Sequence, residues 1–276
     1  MTTQTTLTSE QLAEFERRGV LRLPGLLSSD RAVRALGYVQ SRLAIAGLWK
    51  DGAWRLDARP RPRWPNSDVK SSKDIGNNHP SVEALIDEPA LLAIVDVLLE
   101  GHPFDRDLFK RPQVMVTLPN ADGWFVPTGW HADPPRLASG RRPGVQLFTF
   151  LDRVEPGGGG TLVIAGSHRL LNEGRVIPAS DMRRRLVEEA FFRDLYAEES
   201  GDMRDRAGLP GRVGAVGDVE LEVVELTGAP GDAYLIDLRL LHTAAPNASD
   251  RPRIMATHRF WRADLTSELA EAFGWT

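Results

Sequence analysis

The pattern of apolar residues changes once along the chain, near Arg111, and this change limits the folds that are open to it. Before this point apolar residues recur with helical spacing, and after it they form short runs bounded by Gly, Pro and Asn. Such runs are typical of β-strands connected by turns. The predicted strands are 113–118, 128–133, 145–152, 161–165, 219–226, 232–242 and 253–261. We therefore predict an α+β chain with a mainly β core, formed by an antiparallel sandwich or barrel.

Helices are predicted on both sides of this core in the sequence. Thr8 and Gln11 have the spacing of a capping box and begin a helix over 8–18, which is followed by a strand over 20–23. Further helices are predicted over 30–46, 81–99, 181–198 and 265–273, and the Pro- and Arg-rich stretch 58–68 is predicted to be a loop.

No linker long enough to separate two domains is visible, and a β-rich chain of 276 residues can form a single domain. We predict one domain over 1–276. It has a helical N-terminal part (1–110), a β core (111–262) and a C-terminal helix (263–276). The core is interrupted by an insertion over 170–217, which we interpret as a lid or a wall of a substrate site.

Composition excludes several classes of function. Lys and Arg total 34 and Asp and Glu total 38, for a net charge of −4, which argues against nucleic acid or an anionic membrane as the main partner. The chain has no cysteine, so any metal must be held by nitrogen and oxygen ligands. The N-terminus lacks the pattern of a signal peptide, and no apolar run is long enough to cross a bilayer. A cytoplasmic protein is expected, and the sequence leaves the oligomeric state open.

His131 and Asp133 stand two residues apart at the end of a predicted strand. Side chains at this spacing on a strand point to the same face, so an imidazole nitrogen and a carboxylate oxygen can meet at one point. Pro134 and Pro135 end the strand, where a pocket can open. A His-x-Asp triplet is frequent by chance, and a hydrogen-bonded pair at a strand end is the simpler interpretation of these residues alone.

His242 and Arg253 extend this set. In the predicted strand 232–242, His242 has the parity of the more apolar residues, which indicates an inward-facing core histidine or a metal ligand. Arg253 follows a strong turn signal and opens the next strand, where it can bind a carboxylate through two parallel hydrogen bonds. Arg251 is an alternative, and spacing does not choose between the two arginines. A surface ion pair is the other interpretation.

Two histidines and one carboxylate are the ligand set of non-heme Fe(II) oxygenases, because they leave coordination positions open for other molecules. Four segments then carry a family resemblance in their order and spacing: 7–27, 130–133, 155–169 and the stretch from His242 to Arg253. The third contains Gly157-Gly158-Gly159-Gly160 and ends in Gly-Ser-His-Arg. In these features the chain resembles the phytanoyl-CoA dioxygenase (PhyH) family of Fe(II)/2-oxoglutarate-dependent oxygenases.

The resemblance implies a double-stranded β-helix, a cupin-like jelly roll, with flanking N-terminal helices and a helical insertion. It implies that His131, Asp133 and His242 bind Fe(II) and form the catalytic centre. It makes Arg253 the partner of the C5 carboxylate of the cosubstrate 2-oxoglutarate, with O2 as the oxidant. By the same resemblance Thr149, Gln113 and Lys73 fall near other cosubstrate-lining positions, and a structural role is the alternative for each.

The activity implied by the resemblance is oxidation of a C–H bond of a small molecule, with release of succinate and CO2. Asp133 stands where related halogenases have a small residue, so we expect hydroxylation, with desaturation or ring closure as alternatives. A secondary metabolite is expected rather than an acyl-CoA, since no basic cluster suits the CoA phosphates. The competing hypotheses are a metal-dependent hydrolase or isomerase on a cupin-like barrel, and a non-catalytic small-molecule-binding barrel.

Overall fold

The computed structural model describes residues 6–45, 47–55, 75, 79–108, 111–119, 123–196 and 208–275. The helices are α1 (Ser9–Arg18), α2 (Ser29–Ile45), α3 (Pro80–Glu83), α4 (Pro89–Leu98), α5 (Ala179–Leu186), α6 (Ala190–Tyr196) and α7 (Thr266–Phe273). The strands are β1 (Val20–Leu23), β2 (Trp49–Lys50), β3 (Ala53–Trp54), β4 (Gln113–Thr117), β5 (Gly144–Phe150), β6 (Thr161–Ala165), β7 (Val213–Val216), β8 (Val219–Glu225), β9 (Ala233–Asp237), β10 (His242–Ala244) and β11 (Arg253–Trp261). No helix in these ranges is long and apolar enough to span a membrane.

Local sequence determines where the helices begin and end. The predicted capping box at α1 is confirmed, since Thr8 and Gln11 satisfy each other's backbone N–H groups. The single helix predicted over 81–99 is wrong, because the structure has α3 and α4 in its place. Pro89 begins α4, and Glu88 before it is extended, as the residue preceding a proline usually is. The helix predicted over 181–198 is likewise two helices, α5 and α6, and residues 197 and 198 lie outside the described part.

Two antiparallel sheets form the core. The larger has the strand order β1-β9-β5-β11-β4, and the smaller has the order β10-β6-β8-β7. Strand β7 and the small β2-β3 pair were not predicted. Mainly antiparallel sheets with flanking helices confirm the predicted fold class at that level, and the jelly-roll connectivity stays a prediction.

Alternation along the strands separates an inner from an outer face. On β5, Phe148 and Phe150 pack between the sheets, whereas Val145 and Leu147 pack against the N-terminal helices. Strand β11 follows the same rule, with Met255 inside and Ile254 outside. Alternate residues of the larger sheet therefore face either the space between the sheets or the N-terminal helices. Only the residues that face the other sheet can contribute to a site between the sheets.

The strand predicted over 232–242 is wrong in extent. Strand β9 ends at Asp237 in the larger sheet, and after a turn His242 begins β10 in the smaller sheet. The buried Asp237 carboxylate accepts hydrogen bonds from the backbone N–H and the guanidinium of Arg239, which holds the turn. His242 is paired with Val163 of β6, whose side chain packs between the sheets, so His242 does point inward. His242 therefore points inward as predicted, but its pairing with β6 in the smaller sheet sets this direction, not a continuous strand over 232–242.

The described part of the 170–217 insertion does not form a lid. Residues of α5 and α6, such as Met182 and Phe192, pack with Ile164 and Val223 of the smaller sheet. These two strand residues have the opposite parity to Val163 and Val224, which belong to the core between the sheets. The insertion therefore covers the outer face of the smaller sheet and gives it a hydrophobic core of its own.

Candidate metal centre

His131 and His242 are brought together by the backbone. The N–H of His131 donates to the carbonyl of His242 (3.0 Å), and the N–H of His242 donates to the carbonyl of His131 (2.8 Å). This reciprocal pair is one isolated antiparallel bridge, so the strand predicted over 128–133 is wrong. The bridge is sufficient, because residues directly opposite each other in an antiparallel pair present their side chains on the same side. The imidazole ring centres lie 4.5 Å apart.

Asp133 completes the group. The possible ligand atoms of His131, Asp133 and His242 all lie within 4.8 Å of one another, a spacing at which one metal ion can be held. Between them the chain alternates as a strand would. Trp130 and Ala132 are buried against the insertion, and His131 and Asp133 face the opposite way. The predicted side-by-side arrangement of the triplet is therefore present without a regular strand.

The two imidazoles suit metal binding in their protonation. Nδ1 of His131 lies 3.1 Å from the Gly129 carbonyl, and Nδ1 of His242 lies 3.1 Å from the Leu240 carbonyl. A carbonyl oxygen only accepts hydrogen bonds, so each Nδ1 carries the proton and each Nε2 offers a lone pair. Metal-binding histidines usually show this arrangement, because the outer hydrogen bond fixes both tautomer and ring orientation.

The charges agree with that assignment. Burial lowers the pKa of His242 to about 4, so its ring is neutral at pH 7. Burial alone would raise the pKa of the Asp133 carboxyl, but His242, together with the hydrogen bond and charge of Arg259, outweighs it and lowers that pKa. A neutral imidazole at His242 and an ionised carboxylate at Asp133 are the forms that bind a divalent cation.

A cavity of about 200 Å³ opens beside this group. Both histidines line it, with an apolar side formed by Phe148, Met115 and Ala244. Its polar lining residues are Gln113, Gln146, Thr161, Thr257 and Arg259.

Arg253 is buried, with 3% of its surface exposed, on the inner face of β11. Its guanidinium donates to Thr117 Oγ1 and lies 3.3 Å from Met255 Sδ, and its Nε has no hydrogen-bond partner within the described ranges. It lines a smaller neighbouring cavity of about 70 Å³ rather than the one beside the histidines. Along β11, Met255 lies on the same face between Arg253 and the cavity-lining Thr257. Arg251, by contrast, is half-exposed and ion-paired with Asp152.

The other predicted cosubstrate residues differ in their placement. Gln113 lines the cavity. Thr149 does not fit its predicted place, because it lies on the outer face of β5 and its hydroxyl donates to the Asp232 carbonyl. The inward position belongs to Phe148, one residue earlier. Lys73 lies outside the described residues, as does the predicted loop over 58–68.

Sequence reasoning missed Arg259. Its Nε donates to Asp133 Oδ2 at 2.6 Å, and its side chain lines the cavity. The alternation of β11 contained the signal, since Arg253, Thr257 and Arg259 share one parity and so one face.

A family model described as phytanoyl-CoA dioxygenase (PhyH) matches residues 15–255. The chain belongs to this family. The match spans most of the sequence and includes all three residues of the His–Asp–His group and Arg253. A comparison with curated proteins found no significant match.

Solved structures similar to this PhyH-family protein share its fold. The non-heme alpha ketoglutarate dependent carbocyclase SnoK from nogalamycin biosynthesis is 19% identical, with a TM-score of 0.57 over 95% of this chain and 87% of that one. The epimerase SnoN, in complex with Fe3+, alpha ketoglutarate and nogalamycin RO, is 18% identical, with a TM-score of 0.53 over 92% and 83%. HygX from Streptomyces hygroscopicus, with nickel and 2-oxoglutarate bound, is 17% identical, with a TM-score of 0.56 over 94% and 88%.

Proposed function

We propose that this PhyH-family protein is a non-heme Fe(II)- and 2-oxoglutarate-dependent dioxygenase that hydroxylates a C–H bond of a small molecule, with release of succinate and CO2. The observation that carries the proposal is the His131–Asp133–His242 group, with its two Nε2 lone pairs and an ionised carboxylate within 4.8 Å of one another. Membership of the PhyH family supports iron and 2-oxoglutarate as the bound groups.

The three residues fit the metal in number, type and protonation. Two imidazole nitrogens and one carboxylate would occupy one face of an octahedral ion and leave the rest open. When bound, iron with 2-oxoglutarate and O2 supplies the oxidising power for the C–H bond. The protein supplies placement: the backbone bridge between His131 and His242 fixes both rings, and Arg259 holds the Asp133 carboxylate in position.

Arg253 is the proposed partner of the C5 carboxylate of 2-oxoglutarate. A buried guanidinium without a carboxylate partner in the described structure is a strong site for an anion, and a bidentate contact would satisfy its unpaired Nε. Because Met255 lies between Arg253 and the cavity, binding requires this side chain to move aside. Methionine is suited to that, having three flexible bonds and no branching. Gln113 on the cavity wall is a further proposed cosubstrate contact.

The cavity of about 200 Å³ beside the two histidines supports a small-molecule primary substrate. Hydroxylation is proposed over halogenation because, by the family resemblance, Asp133 stands where related halogenases have a small residue. SnoK and SnoN are described as a carbocyclase and an epimerase, so ring closure and epimerisation are the outcomes that product analysis must separate from hydroxylation.

The test is anaerobic reconstitution with Fe(II) and 2-oxoglutarate, followed by addition of O2 and measurement of succinate. We expect O2-dependent succinate formation, slow without primary substrate. Hydrolytic activity with Zn(II) and no O2 demand would instead favour the metal hydrolase hypothesis. Binding of neither metal nor 2-oxoglutarate would defeat the enzyme assignment altogether.

A further inference from the structure

Two buried polar atoms beside the metal centre lack a hydrogen-bond partner among the described residues. They are Oε1 of Gln146, on the larger sheet, and Oγ1 of Thr161, on the smaller sheet. Both residues line the cavity, and each is only 2% exposed. Leaving a buried polar atom unpaired is unfavourable, so a ligand that supplies the missing partner gains affinity.

The direction of the Gln146 amide is fixed by its neighbours. The hydroxyl of Thr257 has one proton and donates it to the Leu147 carbonyl at 2.8 Å, because a carbonyl can only accept. Thr257 Oγ1 must therefore accept from Gln146 Nε2, which lies 2.9 Å away. The remaining end of the amide is Oε1, an acceptor, which requires a ligand with an O–H or an N–H group.

The cosubstrate does not provide that group. At neutral pH 2-oxoglutarate carries two carboxylates and a ketone, and all of their oxygens are acceptors. Of the two organic ligands that the proposed function brings to the cavity, only the primary substrate can therefore supply the donor. Gln146 and Arg253 therefore suit different ligands. Gln146 needs a hydrogen-bond donor, whereas the guanidinium of Arg253 suits the cosubstrate carboxylate.

The groups beside Gln146 exclude an acid but not an amine. Arg259 is the cross-strand partner of Gln146 in the register of β5 and β11, so both side chains share one face at short distance. Its charge is balanced by Asp133, to which its Nε donates at 2.6 Å, so it does not decide between a neutral and a cationic donor. A carboxylate would place a second acceptor against Gln146 Oε1. A hydroxyl or an amine can donate the hydrogen bond that Oε1 lacks.

We propose that Gln146 is a specificity-determining residue for the primary substrate, and that this substrate presents a hydroxyl or amine group to it. The inference rests on the proposed function, because it assigns the carboxylate-binding arginine to 2-oxoglutarate. It deepens that function by naming the chemical class that the cavity recognises, an alcohol or amine rather than an acid.

The experiment compares three probes that share one ring: cyclohexanol, cyclohexylamine and cyclohexanesulfonate. The sulfonate represents an anion that binds metals weakly. Each is titrated calorimetrically into wild-type protein loaded with Ni(II) and 2-oxoglutarate, a combination that is not expected to turn over. Binding of 2-oxoglutarate is measured first, so its failure would refute the proposed function separately from this inference.

We expect cyclohexanol and cyclohexylamine each to bind at least tenfold more tightly than cyclohexanesulfonate. In Gln146→Leu that advantage should disappear. The control Thr149→Val, on the same strand with its side chain on the outer face, should keep it. Equal affinities of all three probes in the wild type would mean that water satisfies Gln146, and would overturn the proposal. So would a preference for the sulfonate, or wild-type selectivity in Gln146→Leu. The wild-type comparison decides the matter even if Gln146→Leu does not fold.

Discussion

Replacing Arg253 by methionine should weaken cosubstrate binding without weakening the fold. Arg253 is 3% exposed, and its guanidinium has no carboxylate partner in the described ranges. Burial lowers its pKa from 12.5 to about 10. At 1.36 kcal/mol for each pH unit, this corresponds to about 3 kcal/mol against the charged form. Methionine removes that cost, and loss of the hydrogen bond to Thr117 offsets about 1 kcal/mol of the gain. We expect the ligand-free variant to unfold with a free energy that is unchanged or up to about 2 kcal/mol higher.

The assay is urea unfolding, followed by circular dichroism, with and without Ni(II) and 2-oxoglutarate. At a cosubstrate concentration 100 times its Kd, the wild type should gain about 2.7 kcal/mol, and Arg253→Met should gain almost nothing. Arg251→Met is the matched control, because this half-exposed arginine pairs with Asp152 at the surface and should leave the gain intact. A ligand-free variant destabilised by more than about 1 kcal/mol, or stabilised by 2-oxoglutarate like the wild type, would refute the reasoning.

Three further predictions concern the metal centre, pH and the buried charges. His131→Ala should abolish succinate formation and lower Ni(II) affinity in calorimetry. His102→Ala should change neither, because His102 lies beside Asp264 and belongs neither to the metal-binding group nor to the cavity lining; equal Ni(II) affinity in both variants would contradict the ligand assignment. Burial lowers the pKa of His258 from 6.5 to about 4, so the unfolded chain binds the proton more readily. The free energy of unfolding should therefore be highest above about pH 6.5 and should fall by about 3 kcal/mol as the pH is lowered to 4. In His258→Phe this fall should be smaller when urea unfolding is measured across the same pH range. Asp237 is fully buried against two arginines, so Asp237→Asn should cost about 3–5 kcal/mol of unfolding free energy; a loss below about 1 kcal/mol would show that the pair does not stabilise the fold.

Prediction from sequence succeeded for those elements that are determined by residues close together in the sequence. The capping box of Thr8 and Gln11 and the strands β5, β6 and β11, rich in β-branched and aromatic residues, needed no tertiary information. The mutual approach of the His–Asp–His group was also expected, although the bridge that produces it joins distant parts of the chain and has no local signature.

The errors have separate physical causes. The family resemblance places Thr149 beside the cosubstrate, but strand parity is sensitive to a shift of a single residue, which moves a side chain from the inner to the outer face. The strand over 232–242 was divided by the Asp237–Arg239 turn, whose stability comes from buried charge rather than from turn residues such as Gly or Pro. Arg259 was overlooked because its partner, Asp133, comes from a distant segment.

The reciprocal hydrogen bonds between His131 and His242 have a consequence for assembly of the centre. In small zinc domains the cation organises the chain around it, so removing it unfolds the protein. Here peptide groups already hold both imidazoles in place, and the buried sheets provide the surrounding scaffold. The chain should therefore stay folded when a chelator removes the metal, and it should bind metal again without refolding. Loss of iron would then inactivate the enzyme reversibly.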